Sequence, residues 1–118
     1  MPETRDIGRI VRAYLAELAK HGIKVERAYL FGSQARGDTR PESDIDLLLV
    51  SRDFATVPVA EQWRILGKAA LALMEPVEAL TYTPEEVEAL MQQEGSFVRH
   101  ILTRPETIEY HVSEAQEQ

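Results

Sequence analysis

No cysteine occurs among the 118 residues, which excludes a disulfide framework and a thiolate metal site. Aromatic residues are few, at three Phe, four Tyr and one Trp. Apolar runs such as Leu47 to Val50 are far too short to span a bilayer. The opening Met-Pro-Glu-Thr-Arg-Asp lacks the apolar core of a signal peptide, so a cytoplasmic setting is expected. Basic residues are outnumbered, 13 Lys+Arg against 20 Asp+Glu, for a formal net charge of −7. Binding to DNA or RNA draws most of its free energy from neutralising phosphates, so direct nucleic-acid binding is not expected. The same sign suits docking onto a basic protein, and serves solubility equally well.

What is present fits one small domain. A chain of this length buries roughly two-thirds of its unfolded surface, enough for one core but not for a pocket walled on every side. A large acceptor must therefore be held partly by another molecule, which leaves room for homo- or hetero-oligomers. The domain is expected over residues 1–112, followed by a polar tail over 113–118.

Ile7, Ile10, Val11, Tyr14, Leu15 and Leu18 recur at helical spacing, and His21-Gly22 supplies a C-terminal stop. Val25 to Phe31 reads as a strand, broken by Gly32-Ser33 and followed by a polar loop from Gly37 to Glu42. Asp44 to Ser51 reads as a second, buried strand. Thr56 and Pro58 stand where a cap and a first-turn proline open a helix to about Met74, with Trp63, Leu66, Ala70 and Leu73 on its inner face. Val77 to Tyr82 is a third strand. Thr83-Pro84-Glu85-Glu86 is a capping box with proline in the first turn. A short apolar segment, Phe97 to Leu102, follows Gly95-Ser96. The order implies an α/β (α+β) fold, a small sheet covered by helices.

Two features of LFGSQARGDTRPESDIDLLLV, from Leu30 to Val50, are chemically odd. Asp44 and Asp46 lie at the mouth of an apolar strand, two residues apart and so on one face. Side by side they repel, and a divalent cation removes the conflict. Mg²⁺ suits such a site, taking one or two carboxylates and filling its other positions with water and phosphate oxygens. The second feature is Gly32-Ser33 directly after a strand. Glycine lets a phosphate approach the backbone, the Ser33 hydroxyl can donate to it, and Arg36 can neutralise it. No Gly-Lys-Ser/Thr follows, so this is not a P-loop. Glu78, a charge inside the apolar third strand, is the natural third carboxylate, helping to hold the metal and accepting the proton of an attacking hydroxyl. Glu75 is its competitor.

Gly32-Ser33, ten residues, then Asp44-x-Asp46 matches the signature of the DNA polymerase beta-like nucleotidyltransferase superfamily, and FGSQARG with SDIDLLLV resembles its minimal members. The resemblance covers Ala28 to Tyr82 and, more weakly, the rest. It implies a mixed sheet flanked by helices, ATP as substrate, Mg²⁺ at Asp44, Asp46 and Glu78, and phosphates at Gly32, Ser33 and Arg36. It also implies a partner, a helical HEPN-type toxin protein, on a tyrosine of which the transferase places AMP as antitoxin. Two rival readings remain: an antitoxin acting by occlusion, and a small-molecule transferase of the aminoglycoside type. Two positions depart from the pattern. Glu78 replaces the shorter aspartate more typical there, and Gln34 stands where many relatives carry a basic residue. Outside the motif, His21, His100 and His111 lack metal-ligand spacing and read as structural. Trp63 reads as core. Phe97, Ile101 and Leu102 suit a partner-facing patch or local packing equally.

Overall fold

The computed structural model describes residues 6–37 and 43–111. Residues 38–42 of the expected polar loop and the expected tail at 113–118 lie outside the described residues. In chain order the elements are helix α1 (Ile7–Lys20), strand β1 (Arg27–Phe31), strand β2 (Ile45–Val50), a 3-10 helix (Arg52–Ala55), helix α2 (Val59–Leu73), strand β3 (Val77–Tyr82), helices α3 (Pro84–Met91) and α4 (Phe97–Leu102), and strand β4 (Ile108–His111). The strands form one sheet in the order β3-β2-β1-β4. β1 runs antiparallel to both β2 and β4, whereas β2 and β3 are parallel, so the sheet is mixed. The parallel pair requires a crossover, and α2 supplies it.

Helices cover both faces of the sheet. Ala28, Leu30, Ile45, Leu47 and Leu49 point to one face and pack with Val11, Tyr14, Leu15 and Leu18 of α1 and with Ile65 and Ala69 of α2. Tyr29, Leu48 and Val50 point to the other and pack with Val87 of α3 and with Val98 and Ile101 of α4. A central strand buried on both sides reads as an unbroken apolar run, which accounts for Leu47-Leu48-Leu49-Val50. Each of these side chains contributes about 1.5–3 kcal/mol of burial.

The helix ends follow their local chemistry. The Asp6 carboxylate accepts from the Arg9 N–H at 3.1 Å to open α1. At its far end Gly22 takes φ +95°, with Ile23 N–H donating to Leu18 O and Gly22 N–H to Ala19 O, a Schellman closure. The Thr83–Glu86 capping box forms as expected.

α2 departs from its expected start and orientation. Pro58 stands at the N-cap position with no side-chain cap, and Thr56 closes the 3-10 helix instead. Trp63 faces solvent at 71 % exposure, and the inner positions belong to Gln62, Ile65 and Ala69, with Leu66, Ala70 and Leu73 partly buried beside them. The cause is that Ala60, Trp63, Gly67, Leu71 and Met74 give the outer face an apolar stripe of its own, so apolar periodicity cannot choose between the faces. Gln62 tolerates burial because its Nε2 donates to Phe54 O at 3.0 Å and Val57 O at 2.7 Å.

Two strands begin later than expected, β1 at Arg27 and β2 at Ile45. β2 also stops at Val50. Ser51 leaves the strand to accept from Asp53 N–H and to donate to Lys24 O at 2.6 Å. β4 and the 3-10 helix were not expected. β4 is a four-residue edge strand in which Ile108 and Tyr110 alternate with Glu109 and His111, too short for a period to emerge.

Candidate active site

On the sheet face that α3 and α4 cover, side chains of β2 follow one another as Asp46, Leu48 and Val50. Leu48 and Val50 are under the helices, whereas Asp46, at the start of the strand, is only partly buried. Asp44 comes two residues earlier, just before the strand, and is exposed. Parallel register sets Glu78 of β3 directly beside Asp46, and antiparallel register sets Phe31 of β1 on its other side. The backbone therefore gathers Asp44, Asp46 and Glu78 at one uncovered end of one face. Glu75, the alternative third carboxylate, precedes β3 and has no register partner in β2.

The electrostatics are those of anions short of a countercharge. The Asp46 carboxyl is pushed above its ordinary range, first by burial and then by the Asp44 charge, with Arg36 pulling the other way. Glu78 is raised as well, first by a hydrogen bond with the Asp44 carboxyl, then by the charges of Asp44 and Asp46. Two carboxyls bond to each other only if a proton sits between them. Among the described residues, no group of three or more His, Cys, Asp or Glu side chains closes around a common point for a metal. Asp44 and Glu78 are turned toward each other, while the backbone register that places Glu78 beside Asp46 is fixed by the sheet. The donor set suits Mg²⁺ in kind, and the register places two of its carboxylates side by side.

Beside the carboxylates runs the turn that follows β1. Gly32 takes φ +78°, and a Cβ built there would collide with Asp46 Oδ2. The position demands glycine twice over, for the backbone angle and for the close approach. The turn continues with Arg36 N–H donating to Gly32 O at 3.3 Å and Gly37 N–H to Gln34 O at 3.2 Å. Ser33 lies partly exposed in it, and its hydroxyl has no hydrogen-bond partner among the described residues. Arg36 is exposed, close enough to act on the Asp46 charge.

One contributor to this geometry escaped sequence reasoning. Gln34, noted only for replacing a basic residue, is 5 % exposed and its Nε2 donates to Ser43 O at 3.4 Å. It ties the turn to the residue before Asp44, so the two halves of the motif are held together by a buried amide. A glutamine in a polar loop carries no sequence signal for such a role. The three histidines stand apart from the cluster. His21 caps α1, and His111 on β4 pairs with Glu109 at 2.5 Å. His100 is exposed on α4.

A family model described as a nucleotidyltransferase domain matches residues 9–106. No curated protein compared with the chain matches it. Among solved structures, a toxin-antitoxin with AMP-PNP is similar at 23% identity and TM-score 0.56, covering 88% of this chain and 76% of that one. A mutant of the toxin-antitoxin MntA-HpeT is similar at 20% identity and TM-score 0.57, covering 96% of this chain and 77% of that one. At these identities the likeness is one of fold. No helix among the described residues is long and apolar enough to cross a membrane.

Proposed function

The chain belongs to the nucleotidyltransferase domain family, and from that membership we propose that it transfers AMP from ATP, with Mg²⁺, to a tyrosine hydroxyl of a HEPN-type toxin partner, as an antitoxin. The observation that supports the chemistry is the backbone placement of Asp44, Asp46 and Glu78 at the open end of one sheet face, beside the Gly32-Ser33 turn. The choice of partner draws support from fold neighbours that are toxin-antitoxin structures, one of them with AMP-PNP.

In this reading Asp44, Asp46 and Glu78 hold Mg²⁺, which when bound supplies charge neutralisation between carboxylates and phosphates and polarises the reacting phosphoryl group. The Gly32 backbone admits the polyphosphate, the Ser33 hydroxyl donates to it, and Arg36 offsets its charge. The tyrosine oxygen forms the new bond to the α-phosphorus as the bond to the β,γ-pyrophosphate breaks. Glu78, beside Asp46 in the β2–β3 register and exposed at the sheet edge, takes the phenolic proton. The acceptor approaches Glu78 from the β3 edge of the sheet.

The direct test incubates the purified chain with [α-³²P]ATP, Mg²⁺ and the folded product of the adjacent reading frame. Label on a tyrosine of that partner, lost in Asp44→Asn with Asp46→Asn, is the expected result. A partner that stays unlabelled while remaining folded overturns the reading. Should the doubly substituted chain still neutralise that partner in cells, protection is by occlusion.

A further inference from the structure

We propose that Phe97, standing edge-on to Phe31, is the platform on which the nucleobase of the bound nucleotide stacks; this rests on the nucleotidyltransferase reading above. Phe31 lies opposite Asp46 in the β1–β2 ladder, with both side chains on the same sheet face. The Phe31 and Phe97 rings are 5.9 Å apart at an interplanar angle of 83°. Phe31 thus links the two, its backbone paired with Asp46 and its ring in contact with Phe97, which sets Phe97 on the same side of the sheet as the β2 carboxylate.

The burial pattern of α4 singles this ring out. Val98 and Ile101 are buried and Leu102 is half-buried, whereas Phe97 is 53 % exposed. A docking patch would need its neighbours exposed with it, and they are in the core beneath α3 and α4. One large ring is left at the rim of the open end. Its edge-on contact with Phe31 occupies one side at most, and the Ser96 hydroxyl, accepting from Arg99 N–H at 3.1 Å, fixes the start of the helix that carries it. A half-exposed ring, set against Phe31 on a capped helix, suits stacking on a base and leaves hydrogen-bonding selectivity to other groups.

The test compares two ligands with the full chain by calorimetry, ATP with Mg²⁺ and inorganic tripolyphosphate with Mg²⁺. For Phe97→Ala the expected result is ATP binding weakened by roughly 10- to 100-fold with tripolyphosphate unchanged, and recovery in Phe97→Trp. Equal loss of both ligands, or loss of neither, overturns the platform while the nucleotidyltransferase reading stands. If the unsubstituted chain binds neither ligand, that reading falls and the platform with it. Repeating the titration with CTP and UTP gives a second readout. A purine advantage that disappears in Phe97→Ala supports stacking, and one that survives unchanged refutes it.

Discussion

Replacing Gly32 with alanine separates backbone strain from damage to the carboxylate cluster. At φ +78° a residue with a Cβ costs about 1–2 kcal/mol more than glycine. For a domain of this size that lowers Tm by roughly 4–8 °C. The methyl group also meets Asp46 Oδ2, so the Asp46 side chain must rotate away from the position its strand gives it. A displacement near 1 Å at a reacting centre costs on the order of 100-fold in rate. Gly22 is the control, with φ +95° and nothing within 4 Å of a Cβ placed there. Gly22→Ala should therefore lose similar stability and keep its activity, whereas Gly32→Ala should lose both. Thermal unfolding and the initial rate of label transfer from ATP, measured on the same preparations, give the comparison. If the two variants lose the same small amount of activity, the close approach of Gly32 to Asp46 has no functional weight and the turn is only a turn.

Two further outcomes follow from the same geometry. Asp46 and Glu78 hold their protons more tightly in the folded chain than in the unfolded one, so the stability they contribute is full below the ordinary carboxylate pKa, near 4, and is lost as pH rises through their raised values. Mg²⁺ with ATP should therefore raise Tm more at neutral pH than near pH 4, and Asp46→Asn with Glu78→Gln should flatten both effects; an equal Mg²⁺ gain at both pH values in a scanning-fluorimetry series contradicts the assignment. Gln62→Leu removes the donors to Phe54 O and Val57 O and should destabilise by about 2–4 kcal/mol in urea unfolding, against less than about 0.5 kcal/mol if the amide were dispensable.

The carboxylates stood out in the sequence because each breaks a run of apolar residues. For Asp46 the partial burial makes that charge costly, whereas Glu78 is exposed on the edge strand and costs nothing there. Register then made Asp46 and Glu78 neighbours. Strand identity was legible for the same reason that burial is two-sided: Leu47 to Val50 admits no solvent-facing residue. The parallel pairing of β2 and β3 was implicit in the helix between them, whereas β4 was not, because a short edge strand buries too little to leave a pattern. Trp63 went the other way, its apolar character pointing inward while the fold turned it outward. Residues that act through a single amide gave no sign at all. Gln34 and Gln62 have the composition of loop and solvent-facing positions, yet both are buried, and each earns its place through backbone carbonyls that only the folded chain brings within reach.

On the proposed Mg²⁺ reading, opposing demands on Asp44, Asp46 and Glu78 account for the open end of the sheet face. Covering the cluster with α3 and α4, as Leu48 and Val50 are covered, would raise the cost of each ionised carboxylate further and favour shared protons over a cation. Leaving it wholly in water would let Mg²⁺ keep its hydration shell and weaken its pull on a phosphate. The observed compromise buries Asp46 in part, with Gly32 against it, and leaves Asp44 and Glu78 in solvent, where their side chains can turn from one another toward an arriving ion. Moving that balance in either direction, by Leu80→Trp that extends the apolar cover or by Phe31→Ser that wets the floor, should shift Mg²⁺ affinity in calorimetry more than it shifts the stability of the sheet in urea unfolding.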